Sequence, residues 1–269
     1  MSRTAIGALS YKDREPEHIL ISEEQLLQFP AFQTWLVTLQ LSLGLQKQDT
    51  HRFHRDPYQL KEIVIQSVDF FGPRLGFVKL LADIRNSGRI ALPGIALLRG
   101  GSVAILMILR PRDARDERWV VTTLQPRMSS GSLSFIEIPT GMLDDGTFSG
   151  AAAIEIEEET GLRIQATELI DMTSLALEDS QTPEKLQTAM YTTPGGLDEY
   201  VALLLWEKIL DRQEIEDLKS KLCETRAQGE IIAIRLCDYE ELWREGARDA
   251  KTLAAWALYE VLKRTGKIV

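Results

Sequence analysis

The stretch IEIPTGMLDDGTFSGAAAIEIEEETGL, residues 136–162, decides the fold class of this chain. It predicts a short strand, a glycine-rich acidic loop and then a helix, with Ser149 or Thr147 as the N-cap. The three alanines at 151–153 are strong helix formers, and Gly161 suits the left-handed position just past a helix end. The stretch therefore predicts a strand, loop and helix in succession.

Three glutamates give this predicted helix an acidic face. Glu155, Glu158 and Glu159 stand at i, i+3 and i+4, with the outer two about 6 Å apart along the axis. Their charges repel unless a cation neutralises them, and Mg²⁺ prefers carboxylate and carbonyl oxygens and bridges to phosphates. A metal site and a solvated acidic face are both open readings, because a charge run alone favours the second.

Helices and strands alternate along the rest of the chain. Residues 22–43 predict a helix that Ser22 caps and Pro30 splits, and the Gly72-Pro73 turn predicts a β-hairpin. Further strands are predicted at 94–98, 103–109, 119–124, 200–206 and 230–236, and further helices at 212–224 and 249–263. This order indicates an α/β fold with a mixed sheet.

Composition restricts the class of function. The 269 residues carry a formal net charge of −9 and a pI near 5.0, which argues against general nucleic-acid binding. No stretch approaches the length of a membrane span, and the first 17 residues lack the apolar core of a signal peptide. Cys223 and Cys237 match no disulfide or metal spacing, so both are predicted to be inert thiols in a cytoplasmic protein.

The acidic helix and the glycine before it resemble the Nudix box, which predicts a Nudix α/β/α sandwich. The resemblance rests on Gly141 and on the run EIEEETGL that starts at Glu155. It implies that Glu155 and Glu159 ligate Mg²⁺, with Mn²⁺ as the alternative. It also implies that Glu158 binds or orients a metal–water cluster, that the Thr140 carbonyl completes the site, and that Gly141 contacts substrate.

The chain departs from the box at two places. Ile154 replaces the arginine that precedes the first helix glutamate, and that arginine orients the glutamates by ion pairing in the family. The early glutamate of the box falls near Gly146 or Thr147, with Asp144 and Asp145 as the closest acids. Loss of such a charged supporting residue is expected to weaken metal binding or activity by roughly ten- to a hundredfold.

Several further stretches, in order, are similar to plant-type ADP-sugar diphosphatases over nearly the whole chain after about residue 25. They are QSVDFFGPRLGF at 66–77, PGIALLRG at 93–100, PTGMLDD at 139–145, GGLDE at 195–199 and YEELWR at 239–244. The resemblance implies hydrolysis of ADP-ribose or ADP-glucose to AMP and a sugar phosphate. A different dinucleotide or flavin substrate is an alternative, as is a degenerate box that binds such ligands without turnover.

The same resemblance nominates three more residues. Glu199 lies in the loop where related enzymes place a water-activating glutamate, and a carboxylate on such a loop can swing towards water. Arg127 resembles a pyrophosphate contact, and Arg99 is a weaker candidate for the same task. The alternatives are a plain turn that leaves Glu199 exposed and surface ion pairs for the two arginines.

The resemblance also implies a division of the chain. Residues 1–90 are predicted to form a helix and β-hairpin region that dimerises, and residues 91–269 the Nudix hydrolase domain. The predicted partners are the nucleotide sugar and a second copy of the chain, with no nucleic acid and no membrane. Five tryptophans could stack on an adenine ring, and the sequence alone does not choose among them.

Overall fold

The computed structural model describes residues 8–11, 21–114, 116–144, 147–149, 151–180, 182–226 and 232–268. The chain forms two compact units. The first unit comprises Met1–Gly101, Ser180–Gln187 and Tyr191–Tyr200, and the second unit comprises Ser102–Asp179, Thr188–Met190 and Val201–Val269. Residues 91–101 and two later segments thus belong to the same unit as the N-terminal part of the chain. The predicted domain division at residue 90 and the dimerisation role of residues 1–90 stay predictions.

The first unit packs two helices on a four-stranded sheet. Its elements are β1 (Ala8–Tyr11), α1 (Glu23–Gln28), α2 (Pro30–Leu45), β2 (Gln59–Phe71), β3 (Arg74–Arg85) and β4 (Ile95–Leu98). The sheet order is β1-β2-β3-β4, with β1 parallel to β2 and the other pairs antiparallel. The predicted hairpin and the helix split at Pro30 are both confirmed.

Local signals explain these elements. Ser22 caps α1, since its hydroxyl accepts from the Gln25 N–H at 3.1 Å and the Gln25 side chain accepts from the Ser22 N–H at 2.8 Å. Gly72 takes a φ of 60° at the hairpin turn, where a residue without Cβ is favoured. Alternate β3 residues then bury a core with Phe32 and Leu36 of α2.

The remaining elements follow from residue 102 onwards. They are β5 (Ser102–Pro111), β6 (Trp119–Arg127), β7 (Ser132–Glu137), β8 (Thr140–Asp144), β9 (Thr147–Ser149), α3 (Ala151–Thr160), β10 (Ile170–Asp171), α4 (Met172–Leu177), β11 (Met190–Tyr191), β12 (Tyr200–Leu210), α5 (Arg212–Arg226), β13 (Ala233–Asp238), α6 (Leu242–Glu245) and α7 (Ala250–Arg264). The central order is β10-β12-β5-β6-β13, and β5 pairs in parallel with β12 and antiparallel with β6.

Strand β5 is buried on both faces and organises the second unit. Its odd-numbered residues from Val103 to Leu109 pack with Ile156 of α3 and with α5. Its even-numbered residues, Ala104, Leu106 and Ile108, pack with α7 on the other face. Helices on both faces of a mixed sheet confirm the predicted α/β/α sandwich. None of the described helices combines the length and apolar character needed to span a bilayer.

Part of the acidic stretch that was predicted to be a loop is a strand. Thr147 and Ser149 belong to β9, which pairs antiparallel with β8. Ladder hydrogen bonds hold those residues extended, so α3 begins at Ala151. Residues 145, 146 and 150 lie outside the described part of the chain.

Candidate active site

Helix α3 presents one buried face and ends where the sequence predicts. Ile156 is fully buried and Thr160 nearly so, and Ile156 packs in the core that includes α5. Gly161 takes a φ of 72°, and its N–H donates to the Glu157 carbonyl at 2.9 Å. The left-handed glycine therefore closes the helix.

The helical period fixes the backbone positions of the three predicted metal ligands. Because Ile156 and Thr160 face the core, the helical period sets Glu155, Glu158 and Glu159 on a neighbouring face. Glu158 is exposed, and the side chains of Glu155 and Glu159 lie outside the described ones. Among the side chains that are described, no group of three His, Cys, Asp or Glu residues forms a metal site.

Ile154 is exposed beside this acidic face, where the Nudix box has arginine. Its side chain is 56% exposed, so it does not contribute to the core. A cation does reach the helix from α5, because Lys221 donates to the carbonyl oxygen of Glu158 at 3.4 Å. A positive charge near the C-terminal end of a helix is favourable.

Thr140 and Gly141 are fixed to the central strand. Gly141 lies opposite Val103 and Thr140 opposite Ala104 in the antiparallel pairing of β8 with β5. The Thr140 hydroxyl donates to the Ile138 carbonyl at 3.1 Å. The backbone carbonyl predicted to complete the metal site therefore sits on a rigid strand.

Arg127 is the last residue of β6 and binds a buried carboxylate. Its Nε donates to Glu137 Oε1 at 2.6 Å, and its Nη2 donates to the same oxygen. The Glu137 side chain is only 2% exposed, whereas Arg127 is 38% exposed. Arg127 is thus oriented by Glu137, and its Nη1 remains able to donate to a ligand.

Glu137 belongs to a buried charge network that sequence reasoning missed. Lys251 of α7 contacts Glu137 Oε2 at 3.0 Å and Asp249 Oδ1 at 2.7 Å. Burial alone would lower the pKa of Lys251, but the two carboxylates outweigh it and raise that pKa. Asp249 caps α7 through Thr252, whose hydroxyl accepts from the Ile138 N–H at 3.0 Å. The network therefore ties the start of α7 to the segment just before Thr140.

The first unit brings Arg99 and Glu199 together. Arg99 Nη1 lies 2.8 Å from Glu199 Oε1, and the Thr192 hydroxyl donates to Glu199 Oε2 at 2.9 Å. The Glu199 side chain is 14% exposed, so it is not the freely exposed turn residue of the alternative reading. The predicted base and one predicted phosphate ligand are thus an ion pair.

Asp198, which sequence reasoning did not single out, anchors the loop before Glu199. Its Oδ1 accepts from the Arg99 N–H at 2.7 Å, and both its oxygens accept from the Gly100 N–H at 3.2 Å. The loop also pairs with β4, where the Leu97 N–H donates to the Gly196 carbonyl at 2.8 Å. These contacts hold the loop in place, although its two glycines would otherwise make it flexible.

Comparison with known proteins agrees with the sequence resemblance. No protein-family model matches the chain. Nudix hydrolase 14, chloroplastic, of Arabidopsis thaliana is 36% identical over 241 residues, which cover 88% of this chain and 72% of the relative. A crystal structure described as an ADP compounds hydrolase matches 78% of this chain and 99% of its own, at 15% identity and a TM-score of 0.43.

Proposed function

The chain belongs to the Nudix hydrolase family, and from this membership we propose that it cuts the diphosphate of a nucleoside diphosphate sugar. The proposed substrate is ADP-ribose or ADP-glucose, and the products are AMP and a sugar phosphate. Nudix hydrolases generally need a divalent metal ion, for which we propose Mg²⁺, with Mn²⁺ as the alternative.

The geometry of α3 carries this proposal. The helical backbone sets Glu155, Glu158 and Glu159 on a face turned away from the core, and Gly161 ends the helix one residue after Thr160. Carboxylates at i, i+3 and i+4 of one helix repel one another without a cation, so this set of residues suits a hard divalent ion. A purely structural helix gains nothing from this arrangement.

Four groups would hold the metal: the carboxylates of Glu155, Glu158 and Glu159 and the carbonyl oxygen of Thr140. The ion would supply positive charge that polarises the diphosphate oxygens. Arg127 adds a guanidinium that Glu137 already orients, and its Nη1 is proposed to donate to a phosphate oxygen.

Glu199 is the proposed general base, and Arg99 is proposed to control it. In the described structure Arg99 and Thr192 hold the Glu199 carboxylate. An incoming diphosphate is a stronger anion, and a guanidinium binds phosphate in a two-point geometry. When Arg99 turns to the substrate, Glu199 is released to accept a proton from the attacking water.

A nucleotide-sugar binding protein without turnover is the second candidate, and Ile154 is the observation that favours it. The side chain that should order the glutamates is an exposed aliphatic group. Other dinucleotides or a flavin nucleotide are the rival substrates for an active enzyme. AMP release from a panel of diphosphates separates all of these.

The test compares AMP release from ADP-ribose and ADP-glucose, with Mg²⁺ and with chelator, for the wild type, Glu159→Gln and Glu157→Gln. Glu157 is exposed on the same helix but on another face, so it is the matched control. We expect release to need metal, to fall roughly a hundredfold or more in Glu159→Gln and to persist in Glu157→Gln. Binding of both sugars without release by the wild type would select the binding protein instead.

Residues 1–90 are proposed to form a homodimer interface. Exposed apolar side chains support this, since Phe71 is 59% exposed at the hairpin turn and Ile90 is 61% exposed after β3. Light scattering of the wild type and Phe71→Asp tests it, with a monomeric wild type as the contrary result. The cytoplasmic location stays a prediction that fractionation can check.

A further inference from the structure

The first unit contains a pocket of about 270 Å³ that the proposed reaction does not yet use. Its lining residues lie in α2, in β4, at Leu186 and within Tyr191–Tyr200, and all of them belong to that unit. Sites for whole drug-sized ligands usually begin at about 300 Å³. The volume therefore suits one ring system better than a complete nucleoside diphosphate sugar.

Helix α2 gives this pocket an amphipathic wall. Thr34, Trp35, Thr38 and Ser42 line it from one side of the helix, while Phe32 on the other side is fully buried in the core. The Trp35 and Phe32 rings lie 5.9 Å apart at 40°, so the core side steadies the indole. A flat aromatic surface with hydroxyl groups along it results.

Tyr200 supplies a second aromatic surface, held by two neighbours. A Cβ on Gly101 would lie 2.2 Å from Tyr200 Cε2, so the absence of a side chain at Gly101 lets the ring pack against the backbone. The Tyr191 ring lies 6.2 Å from the Tyr200 ring at 54°. Contacts within the protein therefore fix the positions of these aromatic rings.

Asp198 is the acidic residue among those that line the pocket. Three contacts from the Arg99 and Gly100 N–H groups reach its carboxylate, which has about four lone-pair sites and can accept one further donor. Burial raises the pKa of Asp198, and these backbone N–H groups oppose that rise. No lysine or arginine is among the described residues that line the pocket.

We infer that this pocket receives the nucleobase of the nucleotide, an inference that rests on the proposed function. A base has the flat faces that Trp35 and Tyr200 can contact and the N–H donors that Asp198 can accept. A phosphate or sugar phosphate would instead meet a carboxylate and no cation. Because Glu199 directly follows Asp198, a base in this pocket would lie next to the proposed general base.

The test measures AMP binding by calorimetry to the full chain and to two pocket variants. Trp35→Ala removes the stacking surface, and Thr38→Phe fills the pocket from the solvent-facing side of α2 without changing the core. Trp243→Ala is the control, since Trp243 is 51% exposed in α6 and does not line the pocket. Thermal melting checks that each variant is folded.

We expect AMP affinity to fall about ten- to a hundredfold in both pocket variants and to stay unchanged in Trp243→Ala. The KM for ADP-ribose should rise by the same factor while kcat is kept. Ribose 5-phosphate, which has no base, should bind all four proteins alike.

Unchanged AMP affinity in folded Thr38→Phe overturns the inference, as does a wild type that does not bind millimolar AMP. Loss of ribose 5-phosphate binding in place of AMP binding overturns it too, because the pocket would then take the sugar. If both pocket variants turn over substrate with the wild-type KM, the pocket does not bind the base, but the proposed function stands. AMP binding that needs the pocket, in a protein that releases no AMP from any diphosphate, rejects the proposed function alone.

Discussion

Lys251→Met removes the cation that contacts both Glu137 and Asp249. The two carboxyl groups are 2% and 5% exposed, and the ammonium group is 16% exposed. Methionine keeps the length of the stem, so the change removes the charge and little of the packing. Two buried carboxylates then face each other with fewer partners, although Arg127 still binds Glu137 and Thr252 still binds Asp249.

Removing one partner of a buried ion pair typically costs about 3–5 kcal/mol. Because the two carboxylates keep other donors, we expect the low end, about 3 kcal/mol of the free energy of unfolding. For a domain of this size that corresponds to a fall of roughly 6–12 °C in Tm. Calorimetric melting and urea unfolding of the wild type and the variant measure it.

Lys267→Met is the control, because Lys267 pairs with Glu178, which is largely exposed. Its Tm should match that of the wild type. The double variant Glu137→Gln/Lys251→Met should lose less stability than the sum of the single variants, since the two residues are in contact. A Lys251→Met variant as stable as the wild type, or strictly additive single changes, would refute a stabilising network.

Three other changes follow from described contacts. Ile154→Arg should raise turnover or metal affinity by roughly tenfold, because the exposed site can hold the missing cation, and lower activity would contradict this. Gly161→Ala should lower the free energy of unfolding by about 1 kcal/mol, because Gly161 has a left-handed backbone conformation. Gly195→Ala should leave that free energy unchanged, and an equal loss in both variants would contradict the prediction. In a Cys223→Ser background, Cys237 should resist alkylation at pH 8 until the chain unfolds, because burial raises the pKa of its thiol to about 12. Rapid labelling of the folded protein would contradict this prediction.

Much of the fold could be predicted because its signals are local. The Ser22 cap, the Gly72-Pro73 turn and the Asp249 cap each act within a few residues, and all three are present. The acidic stretch was misread between Gly141 and Ala151, because polar residues there form a short hairpin instead of a loop. A polar stretch can form either a loop or a short strand pair, so polarity alone does not separate the two.

The candidate site was predictable in its residue types and not in their partners. The helix placed Glu158 as expected, because a 3.6-residue period fixes which positions share a face. Glu137 binds Lys251, which is 114 residues away, and no local pattern encodes that distance. The partner of Arg99, Glu199, is 100 residues away and was not predicted for the same reason, although an ion pair was an open alternative for both arginines.

The first unit is discontinuous in sequence, since it takes Ser180–Gln187 and Tyr191–Tyr200 from far along the chain. On the ribosome its early helices and sheet emerge first, but the segment that completes them follows only after roughly a hundred more residues. At about 5–20 residues per second this delay is on the order of 5–20 s. A nascent chain therefore exposes, for seconds, the surface that these later segments cover. A chaperone would matter most in the interval before Tyr200 is synthesised.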